Sequence, residues 1–266
     1  MKKLITIFLI LFFASVAFGQ DIIVAKKKGA PDYYCDSCPD ATGGADVDCE
    51  VPDGTVDGLC GWTVVETGGA TGEINMADAC DNSPALGCTD IPMTYCMSVV
   101  KTNTTETDLY AKIAVSGVRL YIQFYIKILA ESLENTESFR VFGLTTDGVT
   151  GSVDITLFQT GGLLYFQRGY HIAAGWQQDV GGTAVTLDTW YGIRLDVNDG
   201  SDTVQWWVDY NSDGIYTDEG TASGLTLDRT PIAYIQLGDS GITYTHSFMI
   251  TGLKVDDDTM PNECVR

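Results

Sequence analysis

Histidine is nearly missing from this chain: His171 and His246 are the only two in 266 residues. A Ser/His/Asp triad or a site built from several imidazoles has little material, and each histidine reads as a core or surface residue. Basic side chains are scarce too, with 15 Lys and Arg against 36 Asp and Glu and a formal net charge of −21. A surface of that sign repels polyanions, so nucleic acid, anionic membrane and strongly acidic polysaccharides are poor partners unless cations bridge them. Neutral glycans and divalent metals stay open, and solubility outside the cell is the plain account of the charge. Heptads, repeats, long linkers and low-complexity tracts are also absent. The apolar run from Leu4 to Phe13 is short of the ~20 residues a membrane span needs. With Lys2 and Lys3 before it and Ala17 and Gly19 ahead of Gln20, it reads as a secretory signal peptide over residues 1–19. No Cys stands at the cleavage point, so neither a lipid anchor nor membrane insertion after cleavage is expected.

Cysteine is unevenly spread. Seven of the eight, Cys35, Cys38, Cys49, Cys60, Cys80, Cys88 and Cys96, fall among Gly, Asp and Pro, and Cys264 closes the set near the end. An even count behind a signal peptide points to disulfides in a loop-rich segment, with connectivity open. Cys35 and Cys38 form a CxxC pair that, with Cys49 and Cys60, could be written as a zinc site. A redox role would want that pair at the start of a helix, whereas its neighbours Asp36, Pro39 and Asp40 make turns. Residues 20–60, with Lys26, Lys27 and Lys28, are therefore read as an exposed tail and Cys-rich segment ahead of a domain spanning 61–266.

In that domain alternation takes over. Leu120, Ile122, Phe124, Ile126 and Ile128 alternate with Tyr121, Gln123, Tyr125 and Lys127, which predicts a strand with one core face and one amphipathic face. Further strands are expected over 139–144, 153–158 and 163–168, bounded by Gly-rich turns. Ile193, Leu195 and Val197 open a hairpin whose return strand buries Val204, Trp206 and Val208 and turns Gln205, Trp207 and Asp209 outward. Asn198, Asp199 and Gly200 supply its reversal, and a third extended piece is expected around Ile215 and Tyr216. Only 132–137 could hold a short helix. The fold class is all-β, an antiparallel jelly-roll sandwich with a disulfide-rich, loop-rich N-terminal segment.

The stretch TWYGIRLDVNDGSDTVQWWVDYNSDG, the closing HSFMITGLKVDDD and the earlier GWTVVETGGATGEI together resemble the concanavalin A-like lectin/glucanase superfamily, with laminin G-like modules nearest in appearance. The resemblance covers roughly 61–258 and implies a ligand groove on the outward face of one sheet. A sugar groove needs aromatic faces for pyranose C–H groups and planar polar groups for hydroxyls. Tyr121, Gln123, Tyr125, Lys127, Tyr165, Gln167, Arg194 and Trp207 are the candidates by residue type and strand parity; the bland alternative is a solvated outer face. Glycosidases of the superfamily carry E-x-D-x-E on one strand, and its lyases a Gln-x-His pair; neither pattern occurs here.

Asp209, Asn211, Asp213 and Gly214 match the first half of a calcium loop, although position twelve is Gly220 where a Glu should close it. The resemblance adds Asp256 as a further calcium candidate. An ordinary Asn/Asp/Gly turn accounts for the same residues. Asn103-Thr104-Thr105 is a glycosylation sequon. The expectation is a secreted, non-catalytic carbohydrate-binding or adhesion module whose partner is a neutral glycan or cell-surface component. The alternatives are a glycan-cleaving enzyme of the same fold and a structural surface protein.

Overall fold

A computed structural model of the chain describes residues 32–33, 62–67, 72–77, 96–104, 107–115, 117–148, 150–223, 227, 231–256 and 260. All of them lie in the compact unit Pro31–Arg266. The expected signal peptide and Cys35, Cys38, Cys49, Cys60, Cys80, Cys88 and Cys264 lie outside the described residues, and of Cys96 only the backbone is described.

The described residues form strands and no helix, and among them no helix is long and apolar enough to cross a membrane. The strands are β1 (Asp32–Tyr33), β2 (Thr63–Glu66), β3 (Gly72–Ala77), β4 (Cys96–Lys101), β5 (Thr107–Ala114), β6 (Arg119–Glu131), β7 (Ser138–Thr145) and β8 (Gly151–Thr160). They continue as β9 (Leu163–Ile172), β10 (Gly175–Val180), β11 (Trp190–Asn198), β12 (Thr203–Asp209), β13 (Thr217–Ala222), β14 (Tyr234–Ile242) and β15 (His246–Asp256). Two antiparallel sheets result. Sheet I runs β13-β12-β11-β6-β15-β4-β3, with β1 pairing β15; sheet II runs β10-β9-β8-β7-β14-β5-β2. This is the antiparallel β-sandwich that the alternating strands predict. β1 brings Asp32 and Tyr33, from the stretch read as tail and Cys-rich segment, into register with Val255 and Lys254.

The period-two pattern fixes which side of each strand is dry. Leu120, Ile122, Phe124, Ile126 and Ile128 of β6, Ile193, Leu195 and Val197 of β11 and Val204, Trp206 and Val208 of β12 all face the core. They meet Phe139, Phe142, Val153, Ile155, Leu157 and Phe166 of sheet II, with Phe124 stacked on Phe142 at 4.7 Å between centroids. His246 belongs to this interior, its ring 4.4 Å from that of Phe139. Arg168 is buried too. Its Nη1 donates to the carbonyls of Val204 (2.7 Å) and Gly220 (3.1 Å) across the sandwich, and its Nη2 pairs with Asp179.

Three expectations change. Residues 132–137 form a turn, with Thr136 at φ 74°, in place of a helix. Ile215 and Tyr216 belong to the loop before β13, since Asp209 draws the chain inward there. In the β11–β12 reversal the left-handed residue is Asp202, at φ 52°.

Candidate functional site

Strands β6, β11 and β12 are neighbours, and their register lines the outward residues into rows. Tyr121 pairs with Asp196 and Asp196 with Gln205; Gln123 pairs with Arg194 and Arg194 with Trp207; Tyr125 pairs with Gly192 and Gly192 with Asp209. β15 extends the first two rows with Asp256 beside Tyr121 and Lys254 beside Gln123. The candidates on sheet I thus form one contiguous face.

That face holds a cavity of about 650 Å³ lined by Tyr121, Arg194, Asp196, Gln205, Trp207, Gly214, Ile215, Tyr216 and Met260. Volumes of this order accommodate small organic ligands. The wall is the 210–216 loop, and Ile215 stands 72 % exposed on it. An exposed isoleucine beside three aromatic rings gives the cavity an apolar rim. Among the described residues Trp207 makes no ring or cation contact, while the other rings are engaged. The Arg119 guanidinium lies 4.5 Å from the Tyr121 centroid, and that of Arg194 lies 4.1 Å from the Tyr216 centroid.

Gln123 and Tyr125 sit beneath the wall instead of on the cavity surface, 0 % and 2 % exposed. Gln123 Oε1 accepts from Arg194 Nε (3.0 Å) and Nη2 (2.9 Å), and its amide donates to the Tyr125 hydroxyl at 3.4 Å. The Tyr216 hydroxyl reaches the same Tyr125 oxygen at 3.5 Å. Gln123, Tyr125, Tyr216 and Arg194 therefore form a closed ring of contacts. Burial, with Tyr125 alongside, pushes the Tyr216 phenol well above its usual pKa. The bare backbone of Gly192 provides the niche, because a Cβ there would lie 2.7 Å from the Tyr216 hydroxyl. Burial and then the Asp196 carboxylate raise the Tyr121 phenol as well, so both rings stay neutral near pH 7.

The remaining candidates do not line the cavity. Lys127 is buried and pairs with the exposed Asp188 at 3.4 Å. Tyr165 and Gln167 lie on β9, in the other sheet, where Gln167 Oε1 accepts from Thr156 Oγ1 at 3.2 Å. They cannot share a groove with Trp207.

The calcium candidates lie at two places, a turn after β12 and the end of β15. Asp209 is fully buried, and its carboxylate accepts from the backbone N–H groups of Asn211 (3.0 Å), Asp213 (3.3 Å) and Gly214 (2.8 Å). The turn is held by its own amides, and Asp213 Oδ1 accepts from Ile215 N. Asp256 stands at the far end of the first row, and no three His, Cys, Asp or Glu converge among the described residues.

Asp196, Gln205, Ile215, Tyr216 and Met260 are the cavity residues that residue type alone did not single out. For Asp196 and Gln205 the signal was present, since they share parity with Arg194 and Trp207. Sheet II carries a second polar face. Arg140 Nε pairs with Asp154 at 3.0 Å and its Nη1 donates to Gln236 at 2.9 Å, while its backbone N–H donates to Asp239. Burial raises the Asp239 carboxyl.

No family model matches the chain, and no curated protein does. Among solved structures it is similar to the catalytic domain of a glycoside hydrolase family 131 protein from Coprinopsis cinerea, at 14 % identity and TM-score 0.46, covering 72 % of this chain and 80 % of that one. It is also similar to the alginate lyase from Klebsiella pneumoniae, at 9 % identity and TM-score 0.44, covering 80 % and 95 %. A functionally unknown protein from Saccharomyces cerevisiae aligns at 8 % identity and TM-score 0.45, covering 70 % and 97 %. Likeness at this level does not assign the chain to a family.

Proposed function

We propose that the chain is a secreted, non-catalytic glycan-binding module of the concanavalin A-like, laminin G-type kind, with its ligand in the sheet I cavity. The observation that carries this reading is the cavity itself. Three adjacent strands supply its floor, Trp207 has an open face, and Asp196 and Gln205 stand in register beside it. An indole face takes the apolar side of a sugar ring while carboxylate and amide take hydroxyls. Gln123 and Tyr125 support Arg194 and Tyr216 from below. The test is a glycan array followed by calorimetry on any hit. Trp207→Ala should lose about 1 to 3 kcal/mol of binding and leave the melting temperature unchanged. An affinity indifferent to Trp207→Ala would move the ligand off this face.

A second reading, cleavage of a glycan, has one observation in its favour. Arg140, Asp154 and Gln236 come together on adjacent strands of sheet II, next to an Asp239 carboxyl whose pKa is raised by burial. Release of reducing ends or unsaturated products from a polysaccharide panel, abolished by Asp239→Asn, would favour it. A blank array with no product would leave a structural surface role.

A further inference from the structure

We propose that the sheet I cavity selects neutral glycans by reading neighbouring hydroxyls through Asp196, and that it rejects uronates and other acidic chains. The inference rests on the glycan-binding reading and adds the ligand's charge class. Asp196 is held by Arg119 in a two-pronged pair, Nε to Oδ1 at 2.9 Å and Nη2 to Oδ2 at 2.5 Å. Each carboxylate oxygen has two lone-pair directions, so this fork leaves each with acceptor capacity. Arg119 is fixed in turn against the Tyr121 ring, which stops the acid from swinging away.

The neighbours complete a reader of sugar hydroxyls. Gln205 follows Asp196 in register and donates its amide N–H to Asp218 Oδ2 at 3.1 Å. Its carbonyl oxygen is thereby fixed as a second acceptor. Trp207 lies in the next row and offers an apolar platform. Acceptors fixed beside an indole suit a ligand that brings hydroxyl donors and a C–H face.

An acidic sugar meets the opposite situation. The cations at the floor are already engaged, Arg119 by Asp196 and Arg194 by the Gln123 amide and the Tyr216 ring. Asp196 and Asp218 stand in or beside the floor, and Asp256 adjoins Tyr121. A ligand carboxylate would have to compete with Gln123 and Tyr216 for the Arg194 guanidinium and would stand near fixed anions, a cost that an uncharged sugar avoids. The chain's net charge of −21 acts in the same direction at longer range.

The experiment is calorimetry on the full chain with two probe sets, at low and at high salt. The neutral set is cello-, xylo-, manno- and laminari-oligosaccharides; the acidic set is oligogalacturonate, alginate and hyaluronan oligosaccharides. We expect binding from the neutral set alone, with the same Kd at both salt concentrations because no net charge is exchanged. Asp196→Ala should weaken it about tenfold or more, in line with loss of charge-assisted hydrogen bonds. Arg119 is a surface side chain, so that variant is expected to fold; should it melt early, Asp196→Asn serves in its place. Binding of an acidic oligosaccharide that weakens at high salt would overturn the inference, and so would neutral-sugar binding unaffected at Asp196. If neither set binds, it is the glycan-binding reading that falls.

Discussion

On sheet II, Arg140 pairs with Asp154 and Gln236 and leaves little room beside it: a Cβ on Gly143 or Gly151 would come within 2.7 Å or 2.6 Å of Asp154, so that side chain would have to shift. On sheet I, Arg194 and Asp196 line open space beside the 210–216 loop, and Arg119 pairs with Asp196. Both faces pair arginine with aspartate. Packing decides whether that chemistry is internal or faces a cavity.

The largest expected effect comes from breaking the closed face. Asp154→Leu would leave the Arg140 guanidinium buried without its carboxylate, at a cost of about 3 to 5 kcal/mol. Urea denaturation measures it, and a loss well under 1 kcal/mol would mean that Arg140 finds water or another acid. The open face should tolerate the equivalent change, because Arg119 is exposed to solvent.

Acid should separate the interior from both faces. Burial, and after it Lys101, lowers the His246 imidazole to about 3 from 6.5. The unfolded chain takes up a proton near pH 6.5 and the folded chain only near pH 3. Stability that is whole above 6.5 is thus lost as pH falls towards 3, at up to about 1.4 kcal/mol per pH unit. A His246→Leu variant should show a shallower loss across that window. Parallel acid-unfolding curves for the two proteins would place the sensitivity in the carboxylates instead.

A smaller change sharpens the role of the wall. Gly192→Ala puts a methyl 2.7 Å from the Tyr216 hydroxyl and 3.1 Å from Asp209 Cβ and Tyr125 Cε1. It should cost about 1 to 3 kcal/mol of stability and weaken any sugar bound in the cavity, which thermal melting and calorimetry read separately. Full affinity in that variant would show that Tyr216 is not part of the recognition surface. The smallest expected effect is that of calcium. Because Asp209 is satisfied by three N–H groups, melting curves in chelator and in added calcium should coincide; a calcium-dependent rise would put a cation back at the turn.

Much of the sandwich was legible because β6, β8, β11 and β12 alternate cleanly, so sequence parity alone separates core from exterior there, whereas β15 changes parity between Ile250 and Leu253 at a register shift. β10, β13 and β14 were not. GWQQDV and TDEGTA are edge strands with little apolar alternation, and YIQLGDSGI is interrupted by Gly238 and Gly241 at positive φ. At the site, parity placed Tyr121, Arg194 and Trp207 outward, yet it cannot say which strands adjoin. It also could not foresee that Tyr216 docks over Tyr125, since that depends on a loop bent back by Asp209 and a gap left by Gly192. Tyr165 and Gln167 have the right parity in the wrong sheet for the same reason.

Arg168 has a consequence for how the molecule opens. Its guanidinium joins β9 to carbonyls of β12 and β13, and it pairs with Asp179 of β10. Edge strands are where a sandwich frays first, and here the edges of both sheets share one bond network. Amide hydrogen exchange in β9, β10, β12 and β13 should therefore report a single opening event, with matched protection on the two sheets. In Arg168→Met the sheets should exchange at different rates, each edge breathing on its own.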